Sequence, residues 1–203
     1  GDVYKRQDDY FEDLSLNKNN FFTDVSNYLS YETGQPTHCY DANTIKGKLL
    51  FHEIEKNEEF ETLLDKKISL TGKNPVFSLN SEVINLAGVV GGKNTSCSVN
   101  TKTVIVECAF FKPEAIIGKS VKYDIQSEAS HKFERGVDPD CHDSVLRRFI
   151  KLVSEHANIK DMSIISYKSN DNRITQIPVN VSKINKIIGI NISEKEYLSH
   201  LLK

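Results

Sequence analysis

Four short stretches of this 203-residue sequence contain residue types that bind or react with ligands. They are GQPTHCYD (34–41), LAGVVGG (86–92), VECAFF (106–111) and SEASHKFERGVDPD (127–140). A histidine orients or deprotonates water, a carboxylate accepts hydrogen bonds from hydroxyl groups, and glycines let the backbone approach a ligand closely. Because the stretches lie far apart in the sequence, a shared site depends on the elements that position them.

Glu107 is the carboxylate of the VECAFF stretch, and it lies within a predicted strand over 103–110. Strand alternation places it on one face with Ile105 and Ala109. Since both faces are otherwise apolar, the pattern predicts a strand that is buried on both sides. A carboxylate costs several kcal/mol there unless it is paired. Two interpretations remain open, namely a structural ion pair with a Lys or Arg and a ligand-facing carboxylate.

The glycine-rich stretch LAGVVGG directly follows a predicted strand, and it has three glycines within five positions. It lacks the GxGxxG spacing of a dinucleotide site and the lysine of a phosphate loop. A tight structural turn and a binding loop both fit this pattern.

His38 is adjacent to Cys39, which makes a Cys-His nucleophilic pair or a metal site conceivable. Residues that are neighbours in sequence rarely face each other productively, and further ligands at suitable spacing are missing. The sequence therefore predicts no metal site. No CxxC pair occurs, so reduced thiols in a cytoplasmic protein are expected. The cysteines are Cys39, Cys97, Cys108 and Cys141.

In the stretch 127–140, His131, Glu134 and Arg135 are spaced three and four residues apart. On a short helix these three residues share one side, and their charges would stabilise the corner between this helix and the next. We interpret this part as scaffold.

The elements around these stretches predict an α+β fold, an irregular mixed β-sheet of short strands with helices packed around it. Apolar spacing predicts a helix over 21–29 that Gly34 and Pro36 terminate. Further helices are predicted over 113–121 and from Asp138-Pro139 onward. The predicted strands cover 49–54, 66–70, 75–79, 83–92 and 103–110.

The domain organisation is predicted from changes in composition along the chain. Residues 1–16 are expected to be poorly defined or non-native, residues 17–168 to form the main domain, and residues 169–173 to be a linker. Residues 174–203 are expected to be the truncated start of a second small α/β module. Its predicted elements are a strand over 177–181, a helix over 182–189, and a helix whose capping box is Ser193 with Glu196.

The overall composition argues against two classes of partner. The net charge is −2 and 27% of the residues are charged, which is not the basic excess of a free-standing nucleic-acid binder. No apolar run reaches membrane-spanning length and no signal peptide begins the chain. We therefore expect neither DNA nor a membrane as partner, and a cytoplasmic location.

The four stretches, in this order and spacing, resemble the β subunit of bacterial-type phenylalanyl-tRNA synthetase. The resemblance covers roughly Asn17 to Tyr167 and corresponds to the editing domain of that subunit. The residues from Ile174 resemble the start of its following, winged-helix-like module. Three departures are visible: Cys39-Tyr40 replaces the usual Ala-Phe, Ser127 replaces Thr, and Val90 replaces Met or Phe.

The resemblance implies hydrolysis of tyrosine that was wrongly attached to tRNA(Phe). Tyrosine differs from phenylalanine by one hydroxyl, and a second, editing site removes the tyrosine that the first site accepts by mistake. It assigns recognition of the tyrosine hydroxyl to Glu107, and contact with the hydroxyl or the attacking water to His38. The substrate-binding residues that it implies are Asn27, Ala87, Gly88, Gly91, Ser127 and Ala129.

The resemblance also implies partners and cofactors. The partners are tRNA(Phe) and an α subunit within an α2β2 assembly, in a ligase that uses ATP and magnesium. Neither cofactor is expected on this chain. Two other functions stay open: a structural, tRNA-positioning module of the same enzyme with decayed editing, and a free-standing hydrolase. The hydrolase is disfavoured because the sequence is expected to end within a module.

Overall fold

The computed structural model describes residues 18–167 and 176–202. The chain divides into two compact units, of which the first ends at Lys160 and the second begins at Asp161. This division precedes the predicted end of the main domain at residue 168. The predicted N-terminal segment 1–16 and the predicted linker 169–173 lie outside the described residues.

The first unit combines helices with short strands, so the predicted α+β class is confirmed. The helices are α1 (Phe21–Thr33), α2 (Pro113–Ile116), α3 (Lys119–Tyr123), α4 (Glu128–Arg135) and α5 (His142–His156). The strands are β1 (Thr37–Asp41), β2 (Leu49–Ile54), β3 (Glu58–Glu61), β4 (Lys67–Leu70), β5 (Asn74–Leu79), β6 (Glu82–Leu86), β7 (Val90–Gly91) and β8 (Val104–Cys108).

The strands divide among three small antiparallel sheets in the described part of the chain. Their strand orders are β1-β8, β2-β5-β6-β7 and β3-β4. The predicted strand over 83–92 is divided into β6 and β7 by a turn at residues 87–89. Gly88 has a φ of 70° in this turn, and the Val89 N–H donates to the Leu86 carbonyl at 2.9 Å. This positive φ is accessible to glycine at little cost, so the chain reverses here.

Helix α1 extends beyond its predicted end to Thr33 and has a cap at each terminus. The Asn20 side chain accepts a hydrogen bond from the Thr23 N–H at 3.1 Å. Gly34 adopts a left-handed conformation, and its N–H donates to the Ser30 carbonyl at 3.1 Å. The predicted glycine cap is therefore confirmed.

Two hydrophobic clusters hold the first unit together. The smaller cluster joins α1 and α5 to one face of the β1–β8 sheet, with Val104 and Val106 packed against it. Its buried members are Val25, Leu29, Cys39, Phe149, Leu152 and Val153. The larger cluster lies between the other strands and the short helices, and it includes Leu70, Val76, Leu86, Ile116 and Phe133.

The boundaries of two predicted helices were wrong. Residues 113–121 form parts of two short helices, because Gly118 between them has a φ of 77°. Asp138-Pro139 does not begin α5, which starts at His142. The Asp138 carboxylate instead accepts a hydrogen bond from the Asp140 N–H at 2.8 Å, which forms a local turn before the helix.

Strand β8 is not buried on both faces, which corrects a second expectation. Ile105 is 37% exposed, and the other residues of the strand are half-buried. The physical reason is that β8 belongs to a sheet of only two strands, whose Val104–Val106 face packs on the helices. The opposite face, which carries Glu107, is left for other contacts.

The second unit contains α6 (Val181–Ile188) and α7 (Glu194–Leu201). The predicted strand over 177–181 was wrong, since residues 176–180 have no regular secondary structure. Asn180 caps α6, because its side chain accepts a hydrogen bond from the Lys183 N–H at 2.9 Å. Pro178 has no backbone N–H and so cannot donate a hydrogen bond to a neighbouring strand. The predicted cap at Ser193 is present, with its hydroxyl accepting from the Glu196 N–H at 3.2 Å. Among the described residues, no helix is both long and apolar enough to cross a membrane.

We expect Gly88→Ala to destabilise the first unit more than the matched change Gly34→Ala. Both residues have positive φ, which costs an alanine about 1–2 kcal/mol. At Gly88 the added Cβ would also lie 2.9 Å from Cδ1 of Ile116, whereas at Gly34 it meets nothing within 4 Å. Urea unfolding should show an additional loss of about 1–3 kcal/mol for Gly88→Ala. Equal losses for the two variants would contradict the tight packing above the turn.

Candidate functional site

The pairing of β1 with β8 places His38 directly opposite Glu107. Directly opposite residues of an antiparallel pair share a face, and so do residues two positions apart on one strand. His38, Tyr40 and Glu107 therefore lie on one face of this sheet, while Cys39 and Val106 lie on the face toward the helices. The two residues with proposed catalytic roles are thus brought together by strand register.

Glu107 is paired with a phenol instead of a cation. The Tyr40 hydroxyl donates to Oε2 of Glu107 at 2.8 Å. Within the described ranges no ion pair involves Glu107, so the alternative of a structural Lys or Arg partner is not supported. Burial raises the pKa of Glu107 to about 7, and the Tyr40 hydrogen bond acts in the opposite direction. This carboxylate therefore titrates near neutral pH.

Tyr40 is enclosed in the fold, with 1% of its surface exposed. Its hydroxyl also accepts a hydrogen bond from Nδ2 of Asn85 on β6 at 2.8 Å. Burial, together with the nearby charge of Glu107, raises the pKa of the Tyr40 phenol well above its ordinary value. The phenol consequently keeps its proton and remains a donor to Glu107.

His38 lies against Tyr40 with the ring centroids 4.5 Å apart and the planes at 79°. Its Nε2 atom is buried and has no hydrogen-bond partner in the part of the chain that the structure describes. Burial lowers the pKa of His38 to about 4, so the imidazole is neutral at neutral pH. An unpaired buried nitrogen is costly, which is a reason to expect a ligand or a water at this atom.

Gly91 forms the wall next to His38. A Cβ added at Gly91 would lie 2.6 Å from Nε2 of His38 and 3.0 Å from Cδ2 of Leu63. Only glycine allows the imidazole to occupy this position. The structure therefore brings Gly91, His38 and Glu107 together.

The structure places Ala87 and Gly88 elsewhere. Ala87 is fully buried in the larger cluster, and its N–H donates to the Pro75 carbonyl at 3.0 Å. Gly88 packs beneath Ile116 and Phe111. These two residues shape the turn that leads to Gly91, and their contacts are with the core.

Ser127 and Ala129 belong to the start of α4. The Ser127 hydroxyl caps the helix by accepting from the Ser130 N–H at 3.0 Å, and it donates to the Val89 carbonyl at 2.7 Å. Ala129 is half-buried against the larger cluster. Ser127 therefore fixes the glycine-rich turn from outside.

Asn27 is half-buried on α1. No hydrogen bond found among the described residues joins it to His38 or Glu107. Its predicted role in substrate binding stays a prediction.

The predicted charge-locked corner is present in part. The Arg135 guanidinium donates to the His131 carbonyl at 2.8 Å and lies 3.1 Å from Nδ1 of the same histidine. Glu134 instead accepts a hydrogen bond from the Ser120 hydroxyl of α3 at 2.7 Å. The Arg135–His131 contacts lie within α4, and the Glu134–Ser120 bond connects α4 to α3, so these three residues make contacts within the scaffold.

Cys39 points away from His38, so the two do not form a nucleophilic pair. Its Sγ atom contacts the Phe22 carbonyl at 3.6 Å, and burial raises the pKa of the thiol well above its ordinary value. All four cysteines are free thiols. Over residues 18–167 and 176–202, no three His, Cys, Asp or Glu side chains are grouped so that they could hold a metal ion.

Sequence reasoning missed two members of this site, Tyr40 and Asn85. Tyr40 is two residues after His38, and this spacing puts both on one face of any strand through 37–41. Asn85 is the polar residue in the apolar run 83–86, and a buried amide requires a partner. Both signals were available once β1 was recognised as a strand.

The arrangement supplies a neutral imidazole with an unpaired, buried nitrogen next to a carboxylate that is held by a phenol. It can accept a hydrogen bond from a ligand hydroxyl at Glu107 and bind a water at His38. It offers no activated nucleophile, since the neighbouring thiol is protonated and faces the other way.

The chain belongs to the B3/4 domain family, which matches residues 11–158. Its relatives include β subunits of phenylalanine–tRNA ligase. The Francisella tularensis subunit is 34% identical over 185 residues, which cover 90% of this chain and 23% of that protein. The Protochlamydia amoebophila subunit is 35% identical over 187 residues, which cover 91% and 23%. The chain thus spans about a quarter of the length of these relatives.

A solved structure is also similar to the chain. It is an N-terminal fragment of the phenylalanyl-tRNA synthetase β subunit from Pyrococcus horikoshii. The match has a TM-score of 0.44 and 13% identity, and it covers 86% of this chain and 52% of that one.

We expect Glu107→Gln to remove a pH dependence of stability. The folded-state pKa of about 7 exceeds the ordinary 4.5, so folding favours the protonated form. The parent therefore loses stability as the pH rises from about 4.5 to about 7. Thermal unfolding at pH 5 and pH 8 measures this effect. Between these two pH values, the free energy of unfolding of the variant should rise relative to that of the parent by on the order of 2 kcal/mol.

His38 contributes the opposite slope, since its stability contribution is lost as the pH falls from 6.5 to about 4. Glu107→Gln leaves this acid limb in place. The exposed Glu55→Gln serves as the control and should follow the parent curve. Parallel curves for parent and Glu107→Gln would refute the raised pKa.

Proposed function

We propose that this chain is the editing part of a phenylalanine–tRNA ligase β subunit, which hydrolyses tyrosine esters of tRNA(Phe). The observation that carries the proposal is the half-buried Glu107 carboxylate opposite His38 on one face of the β1–β8 sheet. The relatives named phenylalanine–tRNA ligase β subunit support the assignment to that subunit.

Recognition rests on Glu107. A tyrosine hydroxyl donates a hydrogen bond to the carboxylate, and a charge-assisted bond of this type is among the stronger ones. A phenylalanine ring brings no donor and leaves the partly buried carboxylate without that bond, at a cost of about 1–3 kcal/mol. The site therefore selects the mischarged amino acid by its additional hydroxyl.

Hydrolysis proceeds by direct attack of water on the ester carbonyl carbon. The new carbon–oxygen bond forms as the bond to the ribose oxygen breaks, and the ribose oxygen takes up the proton that water loses. His38 orients the water through its unpaired Nε2, which is buried in this structure and must become accessible when the ester binds. The neutral imidazole offers a hydrogen-bonding nitrogen at this position. Gly91 leaves room for the imidazole itself, because a Cβ there would lie 2.6 Å from Nε2.

The proposal includes partners and cofactors outside this chain. The partners are tRNA(Phe) and a ligase α subunit in an α2β2 assembly in the cytoplasm. Aminoacylation by the complete enzyme would use ATP and magnesium. The proposed hydrolytic steps use only side chains of this chain and water.

We expect Glu107→Ala to slow deacylation of tyrosyl-tRNA(Phe) by one to two orders of magnitude, which corresponds to the loss of about 1–3 kcal/mol. The assay uses the chain in place of the corresponding segment of a complete phenylalanine–tRNA ligase, with rates measured at substrate concentrations below KM. Glu55→Ala, which removes an exposed carboxylate, is the control and should keep the parent rate. A parent-like rate for Glu107→Ala would disprove the assigned role.

His38→Ala should lower kcat while changing KM little, because His38 acts on water and not on the tyrosine ring. Single-turnover deacylation separates the two constants. If the parent itself does not deacylate tyrosyl-tRNA(Phe), the chain is the non-catalytic, tRNA-positioning module instead.

A further inference from the structure

Tyr40 holds Glu107 in a position that the surrounding fold determines. Its ring is 1% exposed and packs against the His38 ring at 4.5 Å and the Phe77 ring at 6.4 Å. Its hydroxyl oxygen is 2.8 Å from Nδ2 of Asn85 and 2.8 Å from Oε2 of Glu107. The phenol therefore has neither space nor free partners for another orientation.

The direction of these hydrogen bonds follows from chemistry. The amide nitrogen of Asn85 can only donate, so the phenol oxygen accepts there. A phenol carries one proton, and that proton is directed to Glu107. The chain of hydrogen bonds from Asn85 through Tyr40 to Glu107 therefore runs in one direction and immobilises Oε2.

The other carboxylate oxygen, Oε1, is available. No residue in the described ranges makes a hydrogen bond to it, and unlike Nε2 of His38 it is not sealed from solvent. A carboxylate with one oxygen fixed presents a single acceptor in a defined direction, which reduces the ordering cost when a ligand binds.

We propose that Tyr40 is a specificity-determining positioning residue: its hydroxyl holds Oε2 of Glu107 and leaves Oε1 to accept the hydroxyl of an aromatic substrate. The proposal rests on the proposed function, because it assumes that Glu107 reads a substrate phenol. It adds that the discrimination between a tyrosine and a phenylalanine substrate depends on the hydroxyl group of Tyr40.

The titration of Glu107 reports on this contact. The titratable groups that share its face are His38 and Tyr40 on β1, and the thiols of Cys39 and Cys108 on the opposite face also interact with its charge. All four are uncharged at neutral pH: the pKa of His38 is about 4, that of Cys108 is raised to about 12, and the other two are raised well above their ordinary values. Removing the Tyr40 hydroxyl removes a donor to the ionised carboxylate, and the pKa of Glu107 must rise.

The test compares Tyr40→Phe with Tyr123→Phe in the 203-residue chain. Tyr123 is a matched control, because it is 7% exposed and its hydroxyl donates to Oδ1 of Asn74 at 2.8 Å, without a bond to Glu107. The Glu107 carboxyl carbon is followed by ¹³C NMR from pH 5 to pH 9. We expect Tyr40→Phe to raise the midpoint by about one pH unit and Tyr123→Phe to leave it unchanged.

Binding of L-tyrosinamide and L-phenylalaninamide, followed by NMR, measures specificity without any hydrolysis. The parent should bind tyrosinamide more tightly, and Tyr40→Phe should reduce that preference about 3- to 10-fold at pH 6.5. The loss should shrink at pH 8.5, where Glu107 is ionised in both proteins. If Tyr40→Phe does not fold, Asn85→Ala replaces it, since this change frees the Tyr40 hydroxyl and should shift the midpoint in the same direction.

If the folded Tyr40→Phe variant keeps the titration midpoint of Glu107 or the preference for tyrosinamide, Tyr40 is only structural. The same conclusion follows if the parent shows no preference for tyrosinamide over phenylalaninamide. Deacylation of tyrosyl-tRNA(Phe) is measured separately. A parent that prefers tyrosinamide but does not deacylate the tRNA contradicts the proposed hydrolysis and leaves the role of Tyr40 standing.

Discussion

The antiparallel pairing of β1 with β8 is the constraint on which the rest of the site depends. Its register sets His38 opposite Glu107, and a slip by one residue would place these two side chains on opposite faces of the sheet. The register is fixed by the apolar face, because Cys39, Val104 and Val106 must pack on α1 and α5. The small hydrophobic cluster therefore determines the chemistry on the opposite side of the same sheet.

The glycine-rich turn connects this sheet to the larger core. Gly88 packs beneath Ile116, and Gly91 lies against the His38 ring. Ser127 holds the carbonyl between them, that of Val89, from the start of α4. The turn is thus both a structural reversal and a wall of the site, which explains why the two interpretations of its glycines could not be separated by pattern alone.

Part of this arrangement was predictable from the sequence. The α+β class, the cap at Gly34 and the anomalous carboxylate at Glu107 follow from local rules, namely periodicity, positive φ and the cost of buried charge. The partner of Glu107 does not, because Tyr40 lies 67 positions away and is specified by strand register. The limits of helices and strands were also missed where a turn or cap decided them, as before His142 and at Asn180.

The two titrating residues of the site lose their charges at opposite changes of pH: His38 becomes neutral as the pH rises, and Glu107 becomes neutral as the pH falls. Below pH 4 the imidazole of His38 is a cation, and above about pH 7 the carboxylate of Glu107 is an anion. Between these values the facing pair carries no net or separated charge. An aromatic ring can then bind without desolvating a charged group. Above about pH 7 the same ring must desolvate the Glu107 anion, and only a hydrogen-bond donor on the ring compensates that cost. Selectivity for a hydroxyl-bearing ring consequently increases as the pH rises through about 7, and tolerance of a plain ring increases as the pH falls.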